Sequence, residues 1–215
     1  MGRTSPIIEF VGVPGAGKST IARAFRPFVP NALGLQLPPA PYRGSPALLL
    51  AAAGLAFSLR PFALNDVHRM VRLVQAHRVY EQGPAAPLLL EQGLIQRLWA
   101  MVADRRYYAE SRLEHLVAVM AKAAPDVIVR VHTPHDVAAA RIEARPHGNS
   151  RYERMMSAEI IARLAPADAM YDRLVALYRR YSAADIIEVS GVDRVEDNAA
   201  RIAAFVGAEA SGALA

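Results

Sequence analysis

The chain has 215 residues, 53% of them hydrophobic and 21% charged, a balance that excludes a disordered polymer and is expected to give a single domain spanning 1–215. It contains no cysteine, which excludes disulfides, thiolate nucleophiles and cysteine-based metal sites. The formal charge of +5 comes from arginines scattered along the chain, with Lys18 and Lys122 the only lysines. No clustered basic patch for a nucleic acid results, and the excess charge fits a phosphorylated small molecule better.

Residues 1–6 lead straight into an apolar run and leave no room for a signal peptide. The longest apolar stretch, Ala47 to Leu59 broken by Ser58, is shorter than the about 20 residues a bilayer span needs. A cytoplasmic protein with no membrane partner is expected.

Ile7-Ile8-Glu9-Phe10-Val11 reads as a buried first strand, and Ser19 to Phe25 as the start of a helix. Between them stands Gly12-Val13-Pro14-Gly15-Ala16-Gly17-Lys18-Ser19, which matches the phosphate-binding pattern G-x-x-x-x-G-K-[ST]. Glycines let successive N–H groups turn inward as an anion nest, and the helix N-terminus that includes Thr20 adds free N–H groups and its positive dipole end. Lys18 is placed to reach the β- and γ-phosphates, and the Ser19 hydroxyl to hold Mg²⁺. A nucleoside triphosphate is the expected ligand.

Leu33 to Leu37 is a weakly marked second strand, and Pro38, Pro39 and Pro41 enforce an extended segment through Arg43. Helices are expected over 46–59, as a buried apolar element, and over 65–82. In the latter, Val67, Met70, Val71 and Val74 form a core-facing stripe, while His68, Arg69, Arg72 and Gln75 face away as either a solvated side or an acceptor-binding wall. Leu88-Leu89-Leu90 is a third strand ending in Glu91, at the sheet edge where parallel folds bind ligands, so Glu91 is expected to hold Mg²⁺ through water. The next helix starts near Leu94 and carries Arg97; a tyrosine-rich connection at 104–108 precedes a helix at 110–124.

Val127 to Val131 is the fourth strand. Thr133-Pro134-His135-Asp136 then reads as an N-cap, a first-turn proline and an early acid, opening a helix to Arg145. Arg141 and Arg145 share one face, and with Arg151 and Arg154 they bracket His147 to Ser150 like a lid that closes over phosphates. Helices to about Leu164 and from Pro166 follow, then a last strand, Asp185 to Val189. Gly191 and a capping box from Asp193 to Glu196 lead into a helix ending near Gly207.

In this order of elements the chain resembles the P-loop nucleoside and nucleotide kinases, especially thymidylate kinase-like and deoxynucleoside kinase-like proteins. The resemblance rests on the P-loop, on Thr133-Pro134 with Arg141 and Arg145, and on Met170 through Tyr178 to Gly191. It implies a three-layer α/β/α sandwich around a five-stranded parallel sheet of order 2-3-1-4-5, with an acceptor-side helical insert at about 43–82 and a lid at about 141–154. It further implies ATP and Mg²⁺, with a nucleotide or nucleoside as the small-molecule acceptor; a homodimer is left open. Residues 12–20 and Gly191 are then the nucleotide-binding set. Lys18, Glu91, Arg141, Arg145 and Arg151 are the catalytic candidates, and Arg43, Arg69, Arg72 and Arg97 the acceptor contacts.

Two departures stand out. The acid after the third strand is followed by Gln92, where the resemblance expects arginine, and no acid follows the second strand, where deoxynucleoside kinases place a base. The competing readings are a P-loop ATPase and a nucleotide-binding regulator without kinase activity. A GTPase is disfavoured, because Val131-His132-Thr133-Pro134 stands where Asn-Lys-x-Asp would read guanine.

Overall fold

A computed structural model describes residues 5–32, 45–103, 105–145 and 155–212. The expected second strand at 33–37, Arg43, Arg151, Arg154 and the lid loop at 146–150 lie outside the described residues.

The sheet forms from apolar runs that alternate with amphipathic helices, the pattern that buries a parallel sheet on both faces. Among the described residues it has four strands, β1 (Ile7–Val11), β2 (Leu88–Leu90), β3 (Val127–His132) and β4 (Asp185–Ser190), all parallel in the order β2-β1-β3-β4. This is the expected 3-1-4-5 part of the five-stranded order. Every residue of β1 and β2 is buried, whereas β4 alternates, as an edge strand does. Asp126 fixes the entry into the sheet, its carboxylate accepting from the Ile7 N–H at 2.7 Å.

The helices are α1 (Lys18–Phe25), α2 (Pro46–Ser58), α3 (Leu64–Gln82), α4 (Leu94–Val102), α5 (Glu110–Met120), α6 (His135–Glu143), α7 (Ser157–Tyr181) and α8 (Val195–Gly212). α1 packs on α8; α2 lies against α3 and α5, and α4, α5 and α6 all pack on α7. No helix among the described residues is long and apolar enough to cross a membrane.

Several expectations need correction. The apolar helix α2 is only half buried: Leu48, Ala52 and Leu55 are enclosed, but Leu50 and Phe57 are 74% and 67% exposed. Its two neighbours cover one stripe of it, however uniform its hydrophobicity. In α3 the buried stripe is Asp66, Leu73, Val74, His77 and Tyr80, and Val67 is partly exposed. Asp66 turns this edge inward, since its carboxylate accepts from the Ala63 N–H and pairs with Arg105. The helix is thereby rotated from the stripe that its valines alone suggest.

Thr133 does not cap α6. Pro134 occupies that position without a side-chain cap, and the Thr133 hydroxyl donates instead to the Ala16 carbonyl at 3.0 Å, tying β3 to the P-loop. The break expected between Leu164 and Pro166 is absent, and α7 runs through the proline. Pro166 is on the exposed side, while Leu164 and Ala167 are buried. Trp99 Nε1 donates to the Ala167 carbonyl at 2.8 Å, anchoring the turn after it. Likewise α8 begins at Val195 and runs past Gly207 to Gly212.

Candidate active site

β1 delivers the chain to the carboxyl edge of the sheet, where the P-loop turns back into α1. Gly15 and Gly17 adopt φ of 81° and 95°, left-handed conformations that side chains resist. At Gly15 a Cβ would also strike the carbonyl of Ala138 in α6, so this helix packs directly on the loop. Gly191, just beyond β4, is equally confined: a Cβ there would collide with the Thr133 hydroxyl and the Ala16 carbonyl. Three separate strand ends thus close on one loop.

Lys18 lies along the loop and donates from Nζ to the carbonyls of Gly12 and Val13 at 2.6 and 2.9 Å. Burial lowers its pKa to about 8; Glu91 opposes the shift, and Arg145 and Arg130 add to it. An ammonium with little water and few anionic neighbours has strong affinity for an incoming phosphate. The Ser19 hydroxyl donates to the carboxylate of Glu91, carried just past β2. These two hard oxygen donors, side by side at the mouth of an anion nest, are a chemically fitting pair for Mg²⁺.

Arg141 of α6 donates to the carbonyls of Gly191 at 2.9 Å and Gly15 at 3.4 Å, bridging the P-loop to the loop after β4. Arg145, exposed just beyond the end of α6, lines both recesses flanking the P-loop. The larger recess, about 460 Å³, contains Lys18, Ser19 and Glu91; the smaller, about 330 Å³, contains Arg141, Gly191 and Val195. A third cleft of about 370 Å³ shares Gln92 and Gln96 with the larger recess and is walled by Arg69, Arg72 and Arg97. The residues expected to bind nucleotide, Glu91, and the arginines expected at the acceptor, Arg69, Arg72 and Arg97, therefore line adjacent recesses that share residues. Tyr107, in the tyrosine-rich connection, is exposed and pairs through its carbonyl with the Arg60 N–H, away from these clefts.

Glu9 is the residue that sequence reasoning missed. Fully buried in β1, it accepts hydrogen bonds from the N–H groups of Leu94, Ile95 and Gln96 and from the Tyr80 hydroxyl. Its carboxylate thus caps the first turn of α4, the turn that follows Glu91 and Gln92. Burial raises its pKa to about 7, and these four hydrogen bonds hold the rise in check. A lone acid inside an apolar strand was the available signal.

A second network reaches the same turn through Gln96. Arg130 of β3, 1% exposed, is held by Asp168 and Asp172 of α7 at 2.6 and 2.8 Å and lies over the Tyr171 ring. Tyr171 stacks on Trp99 and donates its hydroxyl to the Gln96 side chain at the junction of the two clefts.

No protein-family model matches the chain, and no curated protein matches it. Among solved structures it is similar to thymidylate kinase from Candida albicans, with a TM-score of 0.60 at 13% identity over 97% of this chain and 94% of that one. It is also similar to deoxyadenosine kinase from M. mycoides, with a TM-score of 0.57 at 14% identity over 94% and 98% of the two chains. The chain therefore has the P-loop kinase fold over nearly its whole length.

Proposed function

We propose that this chain is an ATP-dependent phosphotransferase that moves the γ-phosphoryl group to a small-molecule acceptor, a nucleotide or nucleoside in the first instance. The observation that carries the reading is the contact of Ser19 with Glu91 beside Lys18, in a recess that shares Gln92 and Gln96 with a second polar cleft. An ATPase needs only the first recess; a transferase needs room for an acceptor in line with the phosphate.

In this reading the loop N–H groups and Lys18 hold the phosphates of ATP. Mg²⁺, held by Ser19 and, through water, Glu91, would neutralise charge on the phosphate oxygens. An acceptor oxygen attacks the γ-phosphorus, the bond to the bridging oxygen breaks, and ADP leaves. Lys18, Arg141 and Arg145, with Arg151 from the lid at about 141–154, stabilise the charge that spreads over the transferring group. Glu91 takes the proton when the acceptor is an alcohol; an anionic acceptor oxygen needs no base.

The test is ADP release from ATP and Mg²⁺ in the presence of pooled nucleosides, nucleoside monophosphates and sugars. Stimulation by one pool, with a product heavier by one phosphate, is the expected result. ATP binding with no stimulation by any pool would instead favour a nucleotide-binding regulator, the reading that Gln92 in place of arginine supports.

A further inference from the structure

The first turn of α4 is capped by a residue far away in sequence. The cap position itself is Gly93, which has no side chain to offer. The N–H groups of Leu94, Ile95 and Gln96 donate instead to the Glu9 carboxylate of β1, at 3.0, 2.8 and 3.1 Å. Tyr80 of α3 donates to the same carboxylate at 2.9 Å. Gly93 has a φ of −83°, which any residue adopts. Glycine is required there by space: a Cβ would strike the Glu9 carboxylate and the Tyr80 hydroxyl.

A serine, threonine or aspartate at the cap position would satisfy such a helix end locally. A remote carboxylate is the less favourable solution, because burial disfavours its charge and several donors are needed to hold it. What it adds is a tie between two segments of the site. Glu9 stands three residues before Gly12, where the P-loop begins, and Gly93 two residues after Glu91. A local cap would shape the turn and leave it free to shift against the P-loop. The Glu9 carboxylate fixes the turn to the strand that carries the loop, with Glu91 against Ser19 and Gln96 on the wall of the larger recess.

We propose that Glu9 is a positioning residue for the metal site: by holding the turn from Glu91 to Gln96 on β1, it keeps Glu91 opposite Ser19, where the two bind Mg²⁺. The proposal rests on the nucleotide and Mg²⁺ part of the reading above, and not on transfer to an acceptor.

The test is calorimetric binding of β,γ-imido-ATP to the full chain, once with Mg²⁺ and once with EDTA. The loop N–H groups and Lys18 set the metal-free affinity, and Ser19 and Glu91 add the gain that Mg²⁺ brings. Glu9→Gln keeps the size of the side chain and removes its charge; Gly93→Ala keeps the carboxylate and crowds it. Each is expected to leave metal-free affinity within about twofold and to weaken the Mg²⁺ complex by about tenfold, the scale for disturbing a group behind a metal ligand. Tyr80→Phe, which removes one donor, should give a smaller loss of the same kind.

A folded Glu9→Gln protein with the parent's dependence on Mg²⁺ would overturn the proposal. Equal losses with and without the metal would also overturn it, leaving Glu9 a structural cap, and so would a parent chain that gains nothing from Mg²⁺. If Glu9→Gln does not fold, the same comparison in Gly93→Ala and Tyr80→Phe decides. The expected loss of the Mg²⁺ gain, with no phosphoryl transfer from ATP to any acceptor by the parent, would leave the positioning role standing and overturn the kinase reading.

Discussion

Lys18 is half-buried and Glu9 fully buried, and burial has opposite consequences for the two. Burial leaves Lys18 with a pKa of about 8, so most of its positive charge is kept at neutral pH and is lost as pH rises through about 8. In the free enzyme, kcat/KM for ATP should therefore fall as pH rises past about 8, and Lys18→Ala should lower turnover by about 10²-fold or more, the scale for removing a transition-state charge donor. Unaltered turnover in a folded Lys18→Ala protein would contradict the assignment.

Glu9 has the opposite sign. Its folded pKa, about 7, lies above the ordinary 4.5, so the native state binds more protons than the unfolded chain between those values. Stability contributed at Glu9 is thus greatest below about pH 4.5 and declines as pH rises to about 7, by on the order of 3 kcal/mol. Thermal melts of Glu9→Gln across this range should show a flatter slope than the parent; parallel slopes would mean that another group carries the dependence. The sequence marked Lys18 because its motif is local. It left Glu9 unread because the partners of Glu9 are 71 to 87 residues away.

Among elements, the strands were the most legible, since short apolar runs ending in Glu91 or Thr133 have few alternatives to a buried parallel sheet. The helices were legible in extent and misread in detail wherever a polar partner decided the outcome. Asp66 rotated α3, Thr133 left its cap for the loop, and Trp99 secured α7 across Pro166. Because Pro166 sits exposed inside a continuous helix, it leaves one carbonyl without its helical partner and crowds the preceding turn. Pro166→Ala should raise the unfolding free energy by about 1–3 kcal/mol in denaturant titrations. An unchanged or lower midpoint would show that the turn has already adapted to the ring.

The end of α6 belongs to this scale as well. Arg141 is occupied with loop carbonyls, whereas Arg145 is exposed and lines both recesses. Arg145→Ala is therefore expected to lower kcat more than it weakens nucleotide binding. The reverse ratio would make Arg145 a ground-state contact.

At the scale of the molecule, one sheet edge gathers the P-loop after β1, Glu91 after β2, Thr133 after β3 and Gly191 after β4. That convergence follows from parallel topology, which sets all strand ends on one side, and the alternation of elements was enough to anticipate it. The cleft between α3 and α4 was less legible. Its arginines are separated in sequence, and only the packing of α3 on α4 brings Arg72 to Arg97.

The most direct test of the central claim follows the γ-phosphoryl group itself. ATP labelled in that group, incubated with Mg²⁺, the protein and an acceptor that stimulates ADP release, should place the label in the organic acceptor, with little inorganic phosphate and no transfer by Lys18→Ala. Label released only as inorganic phosphate, at a rate indifferent to every acceptor, would identify a hydrolase and contradict the account.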